Sequence, residues 1–206
     1  MFPFLDCSPK RLQELAFDFP IRGQLLTPLT GYCLDEKTIF AIDNGGFTSQ
    51  NPDKFDRLIQ KSLPFINRCK FICMPDVPGS AIRTLELFHI FKKQYAGLPI
   101  ALVIQDGQDS LSIPWEDVSG IFIAGKGEYC MSSGVADIVK SAKWLKKWIH
   151  VGRVSTAEKY NYFKALGADS FDSSVLVREF GDRLASIKRA VRGEREPGLF
   201  DCMEDE

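Results

Sequence analysis

Residues 99–125 read PIALVIQDGQDSLSIPWEDVSGIFIAG. Two apolar runs bracket a polar segment that has room for no more than a turn of helix. Gln105 closes the first run and Gly125 closes the second. An unbroken apolar run of this length reads as a strand buried on both faces, as the strands of a parallel sheet are. The same ending recurs on both sides. IFAID closes on Asp43, KFICMPD on Asp76, WIHVGRV on Gly152 and Arg153, and SFD on Asp172. QLLTPLT (24–30) supplies a seventh run, and FPFLD at the amino end is the weakest of eight.

Amphipathic segments separate these runs. Pro52 follows Asn51 as a first helical residue follows its cap, and Phe55, Leu58 and Ile59 come at helical spacing. In residues 80–97 the expected apolar face is Ile82, Leu85, Phe88 and Phe91, with Gly97 as the stop. Val135, Ile138, Val139, Ala142 and Leu145 mark another helix. Ser155 and Glu158 have capping-box spacing for a helix that stops at Gly167. A last helix carries Val177, Phe180, Leu184, Ile187 and Val191. Strand–helix alternation of this kind predicts a parallel sheet with crossover helices. The expected fold is a compact, trimmed (β/α)8 barrel over residues 1–194, followed by a flexible acidic tail, 195–206. A doubly wound open sheet is the alternative. It lacks its usual nucleotide-binding motifs here, because neither GxGxxG nor GxxxxGK[ST] occurs.

Composition narrows the function classes. The chain has 206 residues, 45% hydrophobic and 26% charged, with a formal net charge of −1. It is globular, and a nucleic-acid partner would need a local basic face. The six Cys show no paired CxxC or CxxC…H spacing, so no structural metal is expected and the thiols read as free. No cofactor motif appears. No apolar run approaches the ~20 residues that span a bilayer. The amino end is unlike a signal peptide, so the expectation is a soluble cytoplasmic protein with no membrane partner.

Each strand ending has a plain reading and a chemical one. Asp43, with Asn44 and two glycines after it, is a tight turn or a carboxylate that a ligand can approach closely. Phe47 beside it could stack on a flat ring. Asp76 caps the following helix, or its carboxylate accepts two parallel N–H bonds from a guanine-type edge. Gln105 is a turn residue before Asp106–Gly107, or an amide that meets a purine carbonyl. Asp172 is a helix cap or a nucleophile among small residues. Strand alternation points it the same way as Ser170 and opposite to Asp169. Arg153 forms an internal ion pair or binds phosphate. Lys140, Lys143, Lys146 and Lys147, interleaved with Trp144 and Trp148, form a solvated face or a nucleic-acid contact.

Taken in order, these motifs resemble the guanine transglycosylase family, which exchanges a guanine in nucleic acid for a 7-deazaguanine. DNGGF (43–47) is similar to its DSGGF signature, MPD (74–76) to its base-recognising segment, VIQDG (103–107) to its glutamine segment, and GADSFD (167–172) to its nucleophile motif. The match runs from about residue 25 to 190. Its detail is closest to the DNA-modifying branch, the DpdA-type DNA 7-deazaguanine transglycosylases of phages and mobile islands. The resemblance implies Asp172 as nucleophile and Asp43 as general acid/base. It implies Asp76, Gln105, Gly125, Phe47, Asn44 and Gly152 around the base; with DNA as the partner, the contacts expected from the residues themselves are Arg153, Lys143, Lys146 and Lys147. The implied partners are DNA and a 7-deazaguanine base such as preQ0 (7-cyano-7-deazaguanine), and the modest positive face and short chain leave room for an accessory DNA-binding protein. RNA-acting members carry a cysteine-rich zinc site after the nucleophile. Here only Cys202 follows Asp172, so zinc and its subdomain are expected to be missing. A non-catalytic nucleic-acid-binding subunit and a tRNA-acting enzyme remain alternatives.

Overall fold

The computed structural model describes residues 1–46, 52–178 and 181–194. Eight parallel strands close into a barrel in sequence order. They are β1 (Phe2–Leu5), β2 (Gly23–Leu26), β3 (Phe40–Ile42), β4 (Cys69–Cys73), β5 (Ile100–Ile104), β6 (Gly120–Ile123), β7 (Trp148–Val151) and β8 (Ser170–Asp172). The weakest run in the sequence is the one that closes the ring. Phe4 of β1 pairs with Gly23 on one side and with Asp172 on the other.

The helices are α1 (Pro9–Glu14), α2 (Pro52–Ser62), α3 (Ala81–Phe91), α4 (Ser133–Trp144), α5 (Ala157–Ala165), α6 (Ser174–Arg178) and α7 (Gly181–Arg192). Two crossovers are economical. β2 runs to β3 without a helix, and β5 runs to β6 through the 3-10 turns Gln108–Ser110 and Trp115–Asp117. That is how 206 residues close a barrel that usually takes about 250.

Two apolar layers follow from strand alternation. Outward residues such as Leu26, Ile42, Ile72, Leu102, Ile121 and Ile149 pack under the helices with Phe55, Phe88 and Val139. Inward residues fill the lumen: Phe4, Leu25, Ala41, Phe71, Cys73, Val103 and Phe122. Gly23 is required by this filling, since a Cβ there would lie 2.2 Å from the Phe4 ring.

Local departures from expectation have local causes. The α3 face that meets the sheet is Ala81, Thr84 and Phe88, and Ile82 is 61% exposed. Of the expected face, Phe88 is buried and Leu85 and Phe91 pack partly buried on the core, so Ile82 alone departs from the spacing the sequence suggested. The cap of α5 is Thr156, whose hydroxyl accepts from the Lys159 amide, and not Ser155. Asn51, Phe180 and the tail 195–206 lie outside the described residues. The described cysteines Cys7, Cys33, Cys69, Cys73 and Cys130 are free thiols. No helix among the described residues is long and apolar enough to cross a membrane.

Candidate active site

The carboxyl ends of the strands surround a cavity of about 220 Å³. Its lining includes Asp43, Asn44, Asp76, Gln105, Arg153 and Asp172, over a floor of Cys73, Val103 and Phe122. Five strand endings, Asp43, Asp76, Gln105, Arg153 and Asp172, therefore meet at one small opening. A second cavity of about 330 Å³ lies alongside, lined by Asp6, Thr27, Thr30, Tyr32, Ser173 and Arg178 among others. Asp43 and Asp172 belong to both walls.

The β3–β4–β5 side is built around Asp76. Its Oδ1 accepts from Asn44 Nδ2 at 2.9 Å and its Oδ2 from Gln105 Nε2 at 2.6 Å. Asn44 spends its other N–H on the Met74 carbonyl, and its oxygen accepts from the Gly46 amide. Gln105 turns its oxygen to the Gly79 amide at 3.0 Å. Asn44 therefore holds Asp76 in place, with both amide hydrogens committed. Gln105 keeps one N–H. Burial raises the Asp76 carboxyl above its usual range, and the two amide bonds oppose that rise. The glycines are needed here. Gly45 has φ +69°, and a Cβ on Gly46 would stand 2.6 Å from both Asn44 Oδ1 and Asp76 Oδ1.

Asp43 sits one residue beyond β3, where its Oδ1 accepts from the Gly45 amide at 3.0 Å. Burial pushes it up to about 7, with repulsion from Asp172, Asp76 and Asp6 adding to the rise and the Gly45 bond opposing it. A carboxyl so tuned can give and take a proton near neutrality.

Asp172 ends β8 and is held at both oxygens. Oδ1 accepts from the Arg153 amide at 2.9 Å, and Oδ2 lies 3.1 Å from His150 Nε2. Arg153 reaches this amide position only with φ 53°, a left-handed conformation that costs a non-glycine residue about 1 kcal/mol or more. Lys159 Nζ supports the turn by donating to the Gly152 carbonyl at 2.8 Å. The Arg153 guanidinium donates to the Ala124 carbonyl at 2.7 Å along the cavity wall.

Not every expected residue reaches the cavity. Gly125 and Gly152 are set back from it. A Cβ at Gly125 would meet Tyr129 at 2.7 Å, and one at Gly152 would meet the Phe122 ring at 2.6 Å. The apolar wall comes from Phe122 and Ala124 instead. Phe47 lies outside the described residues. Lys143, Lys146 and Lys147 stand at the opposite end of the barrel, because α4 runs antiparallel to the strands. Lys143 Nζ is 3.6 Å from Asp169, just before β8, and Lys147 Nζ donates to the Val118 carbonyl, just before β6.

Sequence reading missed two residues. Asp6 ends β1 as the other aspartates end their strands, and it accepts from the Thr30 hydroxyl at 3.0 Å in the second cavity. Burial raises its carboxyl above the usual range. His150 is fully buried beneath Asp172. Its signal was the shared inward parity of His150 on β7 with Ser170 and Asp172 on β8.

Among the described residues, no cluster of His, Cys, Asp and Glu could hold a metal ion. No protein-family model matches the chain, and no curated protein does. Two solved structures are similar in outline. A 3-hexulose-6-phosphate synthase has 11% identity, with 95% of this chain and 100% of that chain covered, at a TM-score of 0.47. A Xanthomonas citri FimX EAL domain in complex with c-diGMP also has 11% identity, with 82% of this chain and 66% of that chain covered, at a TM-score of 0.46. Likeness at that level carries no argument about function. The barrel assignment stands on the closed strand order itself.

Proposed function

We propose that this protein exchanges a guanine-type base at the glycosidic bond of DNA for a 7-deazaguanine such as preQ0. The observation that carries the reading is that Asp43, Asp76, Gln105 and Asp172 open on one cavity, with Asp43 and Asp172 shared with a second. The base would occupy the first cavity. Asp76 would accept from N–H groups on its edge, and the free Gln105 N–H would meet its carbonyl. Phe122 would form part of the apolar wall, and the pentose would enter the second cavity.

The reaction has two displacements. A carboxylate oxygen of Asp172 attacks C1′ as the C1′–N bond breaks, and the departing base takes the proton carried by Asp43. Asp43, now a carboxylate, removes the proton from the incoming base. That base attacks C1′ and breaks the ester bond to Asp172. Two inversions retain configuration, as in retaining glycosidases. The nucleotide must leave the base stack or be single-stranded, because duplex DNA hides both C1′ and the base edge.

This reading fits better than an enzyme of phosphorylated metabolites. The second cavity sets the carboxylates Asp6, Asp43 and Asp172 against Arg178, a balance that disfavours a phosphate dianion. The test is to incubate the protein with DNA and labelled guanine or preQ0, then digest the DNA to nucleosides for mass spectrometry. Label should enter with the backbone intact, and Asp172→Ala should abolish entry. Full exchange by Asp172→Ala would refute the mechanism.

A further inference from the structure

The proposed reaction leaves one buried polar group unused. His150 lies in the barrel lumen, where its ring packs 4.8 Å from both Phe71 and Phe122 and 5.8 Å from Phe4. Three phenylalanines and one histidine thus plug the barrel beneath the cavity. A fourth phenylalanine would suit that layer as well for packing, so the two ring nitrogens need a separate account. Nε2 lies 3.1 Å from Asp172 Oδ2, and Nδ1 lies 2.9 Å from Ser170 Oγ. Ser170 Oγ is also 2.9 Å from Trp148 Nε1.

Hydrogen-bonding capacity fixes the direction of this chain. An indole N–H only donates, so Trp148 donates to Ser170. A carboxylate only accepts, so His150 Nε2 carries the proton that binds Asp172. Burial opposes a second proton on His150, against the pull of Asp172, and a neutral ring with Nδ1 as a lone pair is the form that matches this chain. The Ser170 hydroxyl hydrogen then completes the link to Nδ1. Trp148 and His150 alternate inward on β7, Ser170 and Asp172 alternate inward on β8, and His150 pairs in register with Ser170. Two adjacent strands therefore carry one unbroken row of polar contacts along the lumen up to the carboxylate.

We infer that His150 is a positioning residue for Asp172, locked as its Nε2–H tautomer by Ser170 and Trp148. The inference rests on the reading of Asp172 as nucleophile. With Arg153 N–H on Oδ1 and His150 Nε2–H on Oδ2, the carboxylate plane is fixed and cannot rotate away from C1′. A misplacement of about 1 Å can cost ~100-fold in rate, which sets the scale of the effect.

The test has two arms. Only two histidines occur, so a His89→Gln background leaves His150 as the sole imidazole signal. Long-range 1H–15N NMR of that unliganded protein at neutral pH should show a neutral Nε2–H ring, and Ser170→Ala should shift the Nδ1 resonance. This arm is read without any exchange reaction, so it stands even if the proposed function fails. In the second arm, His150→Phe keeps the aromatic layer but removes the donor. It should lower kcat about 100-fold with KM for the incoming base unchanged, and His150→Gln, which retains an N–H, should recover part of the loss. An Nδ1–H tautomer in the NMR arm, or full kcat in a folded His150→Phe, would overturn the inference.

Discussion

At the carboxyl ends of the strands, carboxylates and amides crowd a cavity wall: Asp76 takes two amide donors, Asp172 takes two N–H groups, and Asp43 takes one. At the amino ends, Lys143 pairs with Asp169, Asp169 accepts from the Ile149 amide, and Lys147 donates to the Val118 carbonyl. The second region has the composition commonly associated with nucleic-acid contact, basic and aromatic together. The first is where the proposed reaction would take place. The difference shows that composition along one helix is a weaker guide than which end of the barrel a residue reaches. Strand endings of a parallel barrel converge, whereas helix carboxyl ends face the opposite way.

Substitutions at the two ends should differ sharply in effect. Asp172→Ala should lower exchange by on the order of 10^4-fold or more, since a nucleophile has no substitute. Asp76→Asn should come next. An amide there loses an acceptor toward the base and sets its NH2 against one of the two amide donors, Asn44 or Gln105, that now bind the carboxylate. Steady-state kinetics should show kcat/KM down about 100-fold, the loss expected for one strong charged hydrogen bond.

Asp43 links activity to stability. Its carboxyl is raised from 3.8 to about 7, so between those values the folded state holds a proton that the unfolded state has lost. Stability therefore falls as pH rises through that window and levels off above it. Asp43→Asn keeps the oxygen that meets Gly45 but carries no charge. It should flatten the slope and raise Tm relative to wild type above about pH 8, while removing the inflection near 7 from the pH profile of kcat/KM. A lower Tm for Asp43→Asn at high pH would refute the assigned environment.

The smallest effect belongs to the far end. Replacing Lys143, Lys146 and Lys147 together by Ala should leave kcat/KM within about twofold and the salt dependence of DNA binding unchanged. Three lost phosphate contacts would lower that slope by roughly 2–3. A large loss would mean that DNA reaches around the barrel to its amino end.

Much of the site was legible because strand endings are local signals. Asp43, Asp76, Gln105 and Asp172 each follow an apolar run, and barrel closure does the rest. Phe2–Leu5 was harder to read because a four-residue strand at a chain end has little pattern of its own, and with it went Asp6. Asn44 looked like a base contact, but only the fold brings it to Met74 and Asp76, about 30 residues on, where its amide is used up. The glycines at 125 and 152 answer to Tyr129 and Phe122, contacts that no spacing rule shows. The lysines could have been placed from sequence alone, because they precede a strand rather than follow one.

In the proposed reaction Asp172 becomes covalently attached to the sugar. Intact-mass measurement of the protein after incubation with guanine-containing DNA, with no acceptor base supplied, tests this most directly. The predicted result is a glycosyl adduct that maps to Asp172 and is discharged when preQ0 is added. Exchange that proceeds with no adduct, or with an adduct on Asp43, would contradict it.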